Sequence, residues 1–231
     1  NRVVMLSDFD QQTSTTPRES SYRLKALQQP TLIFDTYSYI HTIADPNPNV
    51  SYGWYGRGWA SDFELASTEQ PQDTILLTGR FNKSRVVLVR ATEMEQAAFL
   101  DGRLHEIVGN TITYAADHDF LFLEGSNNSR IGVDFDYNYL VVRFTYLDDA
   151  GQVQTVNAPF SHTLQGLQFK YPVYVGGYTF REMFWDDERK LYYFLHHFLA
   201  GMQRIDLQNA PEPIIPLWKV WGVKYSTLTI P

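Results

Sequence analysis

The chain has no cysteine, which removes disulfides, thiolate nucleophiles and cysteine metal sites together. It also has no block of lysine and arginine: 26 acidic residues against 19 basic ones leave a net charge of -7. Binding along a phosphate backbone needs a clustered positive face, so nucleic acid is not an expected partner. No apolar run approaches the roughly eighteen residues of a membrane-spanning helix. No signal peptide is visible, and the chain opens at Asn1 in strand-like sequence without an initiator methionine. It reads as a trimmed or mature form, so the missing targeting signal carries little weight.

The catalytic signatures are missing as well. There is no Gly-x-Ser-x-Gly elbow for a serine nucleophile. Gly53, Gly56 and Gly58 sit among aromatics with no Lys-Ser/Thr following, so they do not form a phosphate loop. Asp117-His118-Asp119 offers two oxygens beside a histidine and reads as a polar turn rather than a metal site. Asp134, Asp136 and Asn138 alternate with aromatics but lack the glycine and terminal glutamate of a calcium loop, so they read as a solvated strand face. His196 and His197 are adjacent, which sends them to opposite faces of a strand or about 100° apart on a helix. No catalytic residue, metal ligand set or cofactor is assigned.

What is present is a β protein. Hydrophobic residues make up 44% and charged residues 19%, a globular balance. Aromatics reach 15%, with fifteen Tyr, fifteen Phe and five Trp. A surplus of that size belongs to sheet cores and, in places, to stacking surfaces for sugars or bases. At 231 residues the chain holds one large β domain or two small ones.

Residues 30–90 organise the reading. Short β-branched or aromatic runs at 32–34, 61–65, 74–78 and 84–90 are bounded by Pro, Gly, Asn or Asp, the pattern of consecutive antiparallel strands. Residues 1–6 and 21–25 add two more strands, with an exposed loop over 11–20 between them. Residues 37–44 extend a strand or form a helical turn. Thr92 with Glu95 makes a capping box that opens a helix over 92–105. Strands are then predicted around 111–114 and 120–123, at 139–146 and 153–156 about an Asp148–Gly151 turn, and at 167–175 and 178–184 about Gly176-Gly177. Residues 191–199 are apolar without a clear period, and 218–228 read as a last strand.

The fold expected is therefore mostly β: two tandem antiparallel sheet or partial-barrel units of lipocalin-like kind, residues 1–105 and 106–231, with a linking helix near 92–105. An internal echo suggests a diverged repeat. Residues 1–10 resemble 129–136, Leu32, Phe34 and Tyr39 recur as Leu167, Phe169 and Tyr174 at an offset of 135, and 61–65 has a weaker counterpart in 178–183.

Tyr52, Trp54, Tyr55 and Trp59 lie in one glycine-rich loop. They form a stacking platform for a sugar ring or peptide, or they fold back as a lid over a barrel end.

Several of these stretches resemble one family. Residues 3–8, 30–37, 40–46 and 58–64, with Ile75-Leu76-Leu77-Thr78-Gly79 and Arg85-Val86-Val87-Leu88, are similar to the Bacteroidetes lipoproteins grouped as domain of unknown function 4302. The likeness is densest over 1–105. It implies a secreted, lipid-anchored protein of the periplasm or outer-membrane surface that accompanies nutrient uptake, and it carries no catalytic residues across. Family members begin with a lipoprotein signal and a Gly-Trp-containing strand region, both missing here. Stretches rich in Asp and Gly in relatives are Tyr and Trp in this chain, so the resemblance does not speak for the loop at 52–59.

The functional expectation is a non-catalytic envelope lipoprotein that binds a glycan or an envelope protein. The alternatives are a hydrolase of extracellular polymers and a purely structural interaction module using exposed sheet edges. A cleft with two carboxyls of raised pKa favours the hydrolase. An aromatic platform favours glycan, and neither feature leaves the interaction module.

Overall fold

Alternating apolar runs between turn residues fold as antiparallel strands throughout the computed structural model, which describes residues 1–45, 47–51, 62–69, 72–126, 129–198 and 201–215. The chain divides into two units, Asn1–His105 and Glu106–Pro231.

The first unit is a six-stranded antiparallel meander: β1 (Arg2–Met5), β2 (Arg18–Leu27), β3 (Gln29–Phe34), β4 (Glu64–Glu69), β5 (Thr74–Gly79) and β6 (Arg85–Val89), each bonded to its sequence neighbours. Gln28 reverses the chain between β2 and β3 with φ at 65°, and Lys83 does the same between β5 and β6 with φ at 60°. Leu65, Leu77 and Val86 are buried on one face of this half-barrel, with Met5, Leu32 and Phe34 packed around them. The segment between β3 and β4 opens with two short helices, α1 (Tyr39–Ala44) and α2 (Pro48–Ser51). Ile40 of α1 joins the same core. Of the two readings for 37–44, the helical turn is the one formed.

The loop expected to be exposed over 11–20 is exposed at most of its positions, and it is tied down by local bonds. Thr13 N–H donates to Asp10 Oδ1 at 2.8 Å, and Asp10 N–H donates to Thr13 Oγ1 at 3.0 Å. Tyr39 Oη donates to the Thr16 carbonyl at 2.7 Å. Ser14 is buried, and β2 starts as early as Arg18. Local Asx-type bonding supplies the order that composition alone does not signal.

The helix expected over 92–105 is two helices, α3 (Glu93–Leu100) and α4 (Arg103–Asp117), broken at Gly102, where φ is 89°. The capping box is formed as read: Thr92 Oγ1 accepts Glu95 N–H at 3.2 Å and Glu95 Oε2 accepts Thr92 N–H at 2.8 Å. The strand expected at 111–114 is instead part of α4. Leu104, Ile107, Val108, Thr111 and Tyr114 fall at helical spacing and are all buried. Burial of that stripe outweighs the β preference of Thr111, Ile112 and Thr113.

The second unit is a meander of eight strands, β7 (Leu121–Glu124), β8 (Arg130–Asp136), β9 (Val141–Leu147), β10 (Val153–His162), β11 (Gly166–Val175), β12 (Tyr178–Asp186), β13 (Leu191–Phe198) and β14 (Gly201–Asp206), followed by the short β15 (Gln208–Asn209). β15 pairs with β7, at the opposite end of the sheet order from β14. Only Leu207 separates β14 from β15, so the two ends of the sheet meet and the barrel is nearly closed. Gly176 and Gly177, with φ at 58° and 80°, make the β11–β12 turn; a Cβ on Gly176 would lie 2.1 Å from Ile131 Cδ1.

Rings fill the barrel. Phe144, Phe169, Phe180 and Phe194 cluster with the Phe180 and Phe194 centroids 4.0 Å apart. Tyr114 of α4 packs edge-on against Phe135, Trp185 and Tyr192, and Thr111 Oγ1 lies 2.6 Å from Tyr192 Oη. Burial pushes the Tyr114 hydroxyl pKa up to about 12, against a bond to the Tyr192 backbone that lowers it. The architecture is thus mostly β, a half-barrel and a nearly closed barrel.

The echoed segments fall on β1 and β8, and on β3 and β11. β1 and β3 run in the same direction, while β8 and β11 run in opposite ones. The echo on β1 and β8 thus does not share a superposition with the one on β3 and β11, whereas β3–β4 and β11–β12, which carry the second and third echoes, are both adjacent antiparallel pairs.

Candidate functional site

Tyr52, Trp54, Tyr55 and Trp59 lie outside the described residues, as does the strand expected at 218–228. On the two sides of that loop in sequence stand two buried residues. Ser51 Oγ donates to the Asn47 carbonyl at 3.1 Å. Asp62 is fully buried under the β5–β6 turn, accepting N–H from Phe81 at 2.9 Å, Asn82 at 3.1 Å and Ser84 at 3.0 Å. Burial pushes its pKa up, but the donors of Ser84, Asn82 and Phe81 outweigh that and hold the carboxyl below its usual range. Asp62 therefore organises a hairpin turn.

The polar groups singled out from sequence do not converge. His118 Nδ1 donates to the Tyr114 carbonyl at 2.9 Å at the end of α4. Asp134 pairs with Arg143 at 3.1 Å, and Asp136 Oδ1 accepts Tyr139 N–H. His196 meets the Tyr178 ring edge-on. Among the described residues, no three His, Asp or Glu side chains gather closely enough to hold a metal ion.

The densest charge network, on β12–β14, is closed on itself. Arg204 binds Asp206 through Nε and Asp186 through Nη2, both at 2.6 Å, and stacks over Tyr193 at 3.8 Å. Arg189 takes the other Asp206 oxygen at 2.5 Å. For Asp206, burial raises the pKa but the two guanidiniums win, so it lies below its ordinary value. For Asp186, the Arg189 N–H is the largest cause of the lowering. Paired acids of this kind are poor proton donors near neutrality.

The first unit offers a different feature, which the strand pattern did not announce. Among the described residues β6 pairs only with β5, so it is an edge of the half-barrel. Gly79 N–H donates to the Ser84 carbonyl and Arg90 N–H to the Asp73 carbonyl, each at 2.8 Å. In an antiparallel pair the bonded residues alternate, so the Ser84 carbonyl and the backbone groups of Val86, Leu88 and Arg90 turn to β5. Arg85, Val87 and Val89 turn theirs outward. Val87 and Val89 are 56% and 70% exposed, and Phe81 at the adjoining turn is 78% exposed.

This edge is apolar and unbroken by proline over Arg85–Val89, the kind that natural sheets usually protect. The opposite edge, β1, is shorter, and its Arg2 is paired with Glu19. The available signal was Val86-Val87-Leu88-Val89 between two arginines, with no acidic residue from 80 to 92. What sequence cannot give is the place of a strand in the sheet.

Among the described residues no helix is long and apolar enough to cross a membrane. A family model, domain of unknown function DUF4302, matches residues 1–187, which takes in all of the half-barrel and the barrel through β12. No curated protein and no solved structure matches the chain.

Proposed function

The chain belongs to the DUF4302 family, and we propose that it is a non-catalytic interaction protein of the cell envelope, engaging a partner protein through its half-barrel unit. The observation that carries this is the free edge of β6, with apolar side chains and unused backbone groups outward. The barrel supports the same reading by contrast, because aromatic side chains fill its interior. The hydrolase alternative asks for a carboxyl held protonated by its surroundings. Every described carboxyl with a displaced pKa, from Asp35 and Asp62 to Glu95, Asp148, Asp186 and Asp206, is displaced downward.

Lipid anchoring, an outer-membrane or periplasmic address and a role beside nutrient uptake belong to this proposal and rest on the family resemblance. Glycan binding rests on Tyr52, Trp54, Tyr55 and Trp59; a glycan-array signal unchanged by Trp54→Ala with Trp59→Ala removes it. The interaction reading is tested by amide exchange with a detergent-solubilised envelope fraction and, separately, with oligosaccharides. Expected is protection within residues 1–105 from the envelope fraction alone. Protection confined to the barrel by oligosaccharides contradicts it.

A further inference from the structure

We propose that the outer edge of β6 is a strand-addition site for an extended partner segment with alternating apolar residues and acidic flanks. This deepens the interaction reading and rests on it. Three facts fix the chemistry of the occupant.

The first is the backbone. Arg85, Val87 and Val89 each present one N–H and one C=O away from β5, at the two-residue repeat of a strand. An incoming antiparallel segment satisfies all of them without disturbing the existing ladder. That is the mode in which main-chain bonds hold the segment and alternate side chains select it.

The second is the side chains. Arg85, Val87 and Val89 share one face of the sheet, and Val86 and Leu88 the other. Val87 and Val89 stand exposed on their face, and Leu88 is 41% exposed on its own. Valine, isoleucine or threonine directly opposite would cover them, since such cross-strand pairs are the stabilising unit of a sheet.

The third is charge. Between Arg80 and Thr92 the chain carries Arg80, Lys83, Arg85 and Arg90 and no acid. Arg80 is engaged by Glu64 at 3.7 Å, and Lys83 Nζ lies on the Arg80 carbonyl at 3.0 Å, which leaves its charge unneutralised. Among the described residues neither Arg85 nor Arg90 has a carboxylate partner. A cation thus stands at each end of the apolar run, in a protein whose net charge is -7.

The same charges argue against a second copy of the chain as the occupant. Antiparallel pairing of two β6 edges about Val87 sets Arg85 opposite Val89, Arg90 opposite Ser84 and Lys83 opposite Ala91, so it brings no acid to any of these cations. Parallel pairing stacks Arg85 beside Arg85. Parallel self-pairing opposes like charges, and antiparallel self-pairing adds cations without a counter-charge, whereas an acidic segment neutralises them.

The test uses the whole chain and two blocked hexapeptides, Glu-Val-Thr-Val-Thr-Glu and its counterpart with lysine at both ends. Amide exchange is read at single residues. The acidic peptide is expected to slow Arg85, Val87 and Val89 by tenfold or more, with the lysine peptide at least tenfold weaker in affinity. Arg85→Glu with Arg90→Glu should invert that preference. Val87→Pro removes an N–H that β5 does not use and should abolish peptide protection; unchanged slow exchange at Val86 and Leu88 shows that the sheet is intact. Equal effects of both peptides, or none from either, overturn the proposal. If neither peptide binds while the envelope fraction protects other parts of residues 1–105, the edge assignment fails and the interaction reading stands. If the envelope fraction also leaves the unit unprotected, both fail. Protection of the edge that grows with protein concentration alone assigns it to self-association and overturns the acidic partner.

Discussion

The imidazole of His41 caps the helix that carries it: its Nδ1 accepts the N–H of Ser38 at 3.1 Å. The other ring nitrogen, Nε2, donates to the Phe34 carbonyl at 3.3 Å, which ties α1 back to the end of β3. The ring is stacked between Tyr37 and Phe63, with centroids 5.5 and 5.1 Å away. Only a neutral ring with the proton on Nε2 makes both bonds.

A pH dependence follows from that tautomer. Burial pushes the His41 pKa down, while the Phe34 carbonyl and the Asp35 charge act the other way and lose. The folded state favours the neutral ring. Its stabilising contribution is therefore complete above the ordinary histidine pKa of about 6.5 and is lost as pH falls through the lower folded value. The expected result is a melting temperature that begins to drop as pH falls below the ordinary histidine pKa of about 6.5. His41→Ala should lower it at pH 7 and flatten that part of the profile. Parallel profiles for both proteins contradict the assignment.

Asp62 and Gly79 form one unit. A Cβ at position 79 would stand 2.1 Å from Asp62 Oδ2. Asp62→Ala leaves the donors of Phe81, Asn82 and Ser84 without their acceptor, a loss on the order of 3 kcal/mol. Gly79→Ala drives a methyl into the carboxylate and should destabilise on its own. In the Asp62→Ala background the obstacle is gone, so the two changes should not add. Urea denaturation of the single and double variants measures the coupling; strict additivity contradicts the contact.

In the barrel, Thr111→Val takes one partner from the buried Tyr192 hydroxyl and should cost about 1–3 kcal/mol. Tyr192→Phe should do the same to Thr111, whose Oγ1 also donates to the Ile107 carbonyl at 2.9 Å. Removing both hydroxyls leaves less unsatisfied, so the double variant should lose less than the sum of the single ones. Chemical denaturation of the three variants decides it.

Much of this fold was legible because local chemistry and tertiary context agree. Gly176-Gly177, Asp148 with Gly151, and Asn82-Lys83 all close hairpins, and the runs beside them are strands. Thr92 and Glu95 cap a helix as their spacing predicts. Where context decides, sequence misleads. Thr111, Ile112 and Thr113 look like a strand, yet Ile107, Thr111 and Tyr114 find their partners only when α4 lies against rings contributed by β8, β12 and β13. Barrel closure depends on β15, two residues with no pattern of their own. The candidate site was hidden for a related reason. Val86-Val87-Leu88-Val89 reads equally well as an inner strand, and only the sheet order makes it an edge.

The free edge can be read directly from the protein alone by residue-resolved amide exchange along 84–90. The account predicts alternation, with Val86, Leu88 and Arg90 slow because their N–H groups bond to β5, and Arg85, Val87 and Val89 fast because theirs face water. Uniformly slow exchange across the strand means that the edge is already covered, and it contradicts the proposed site.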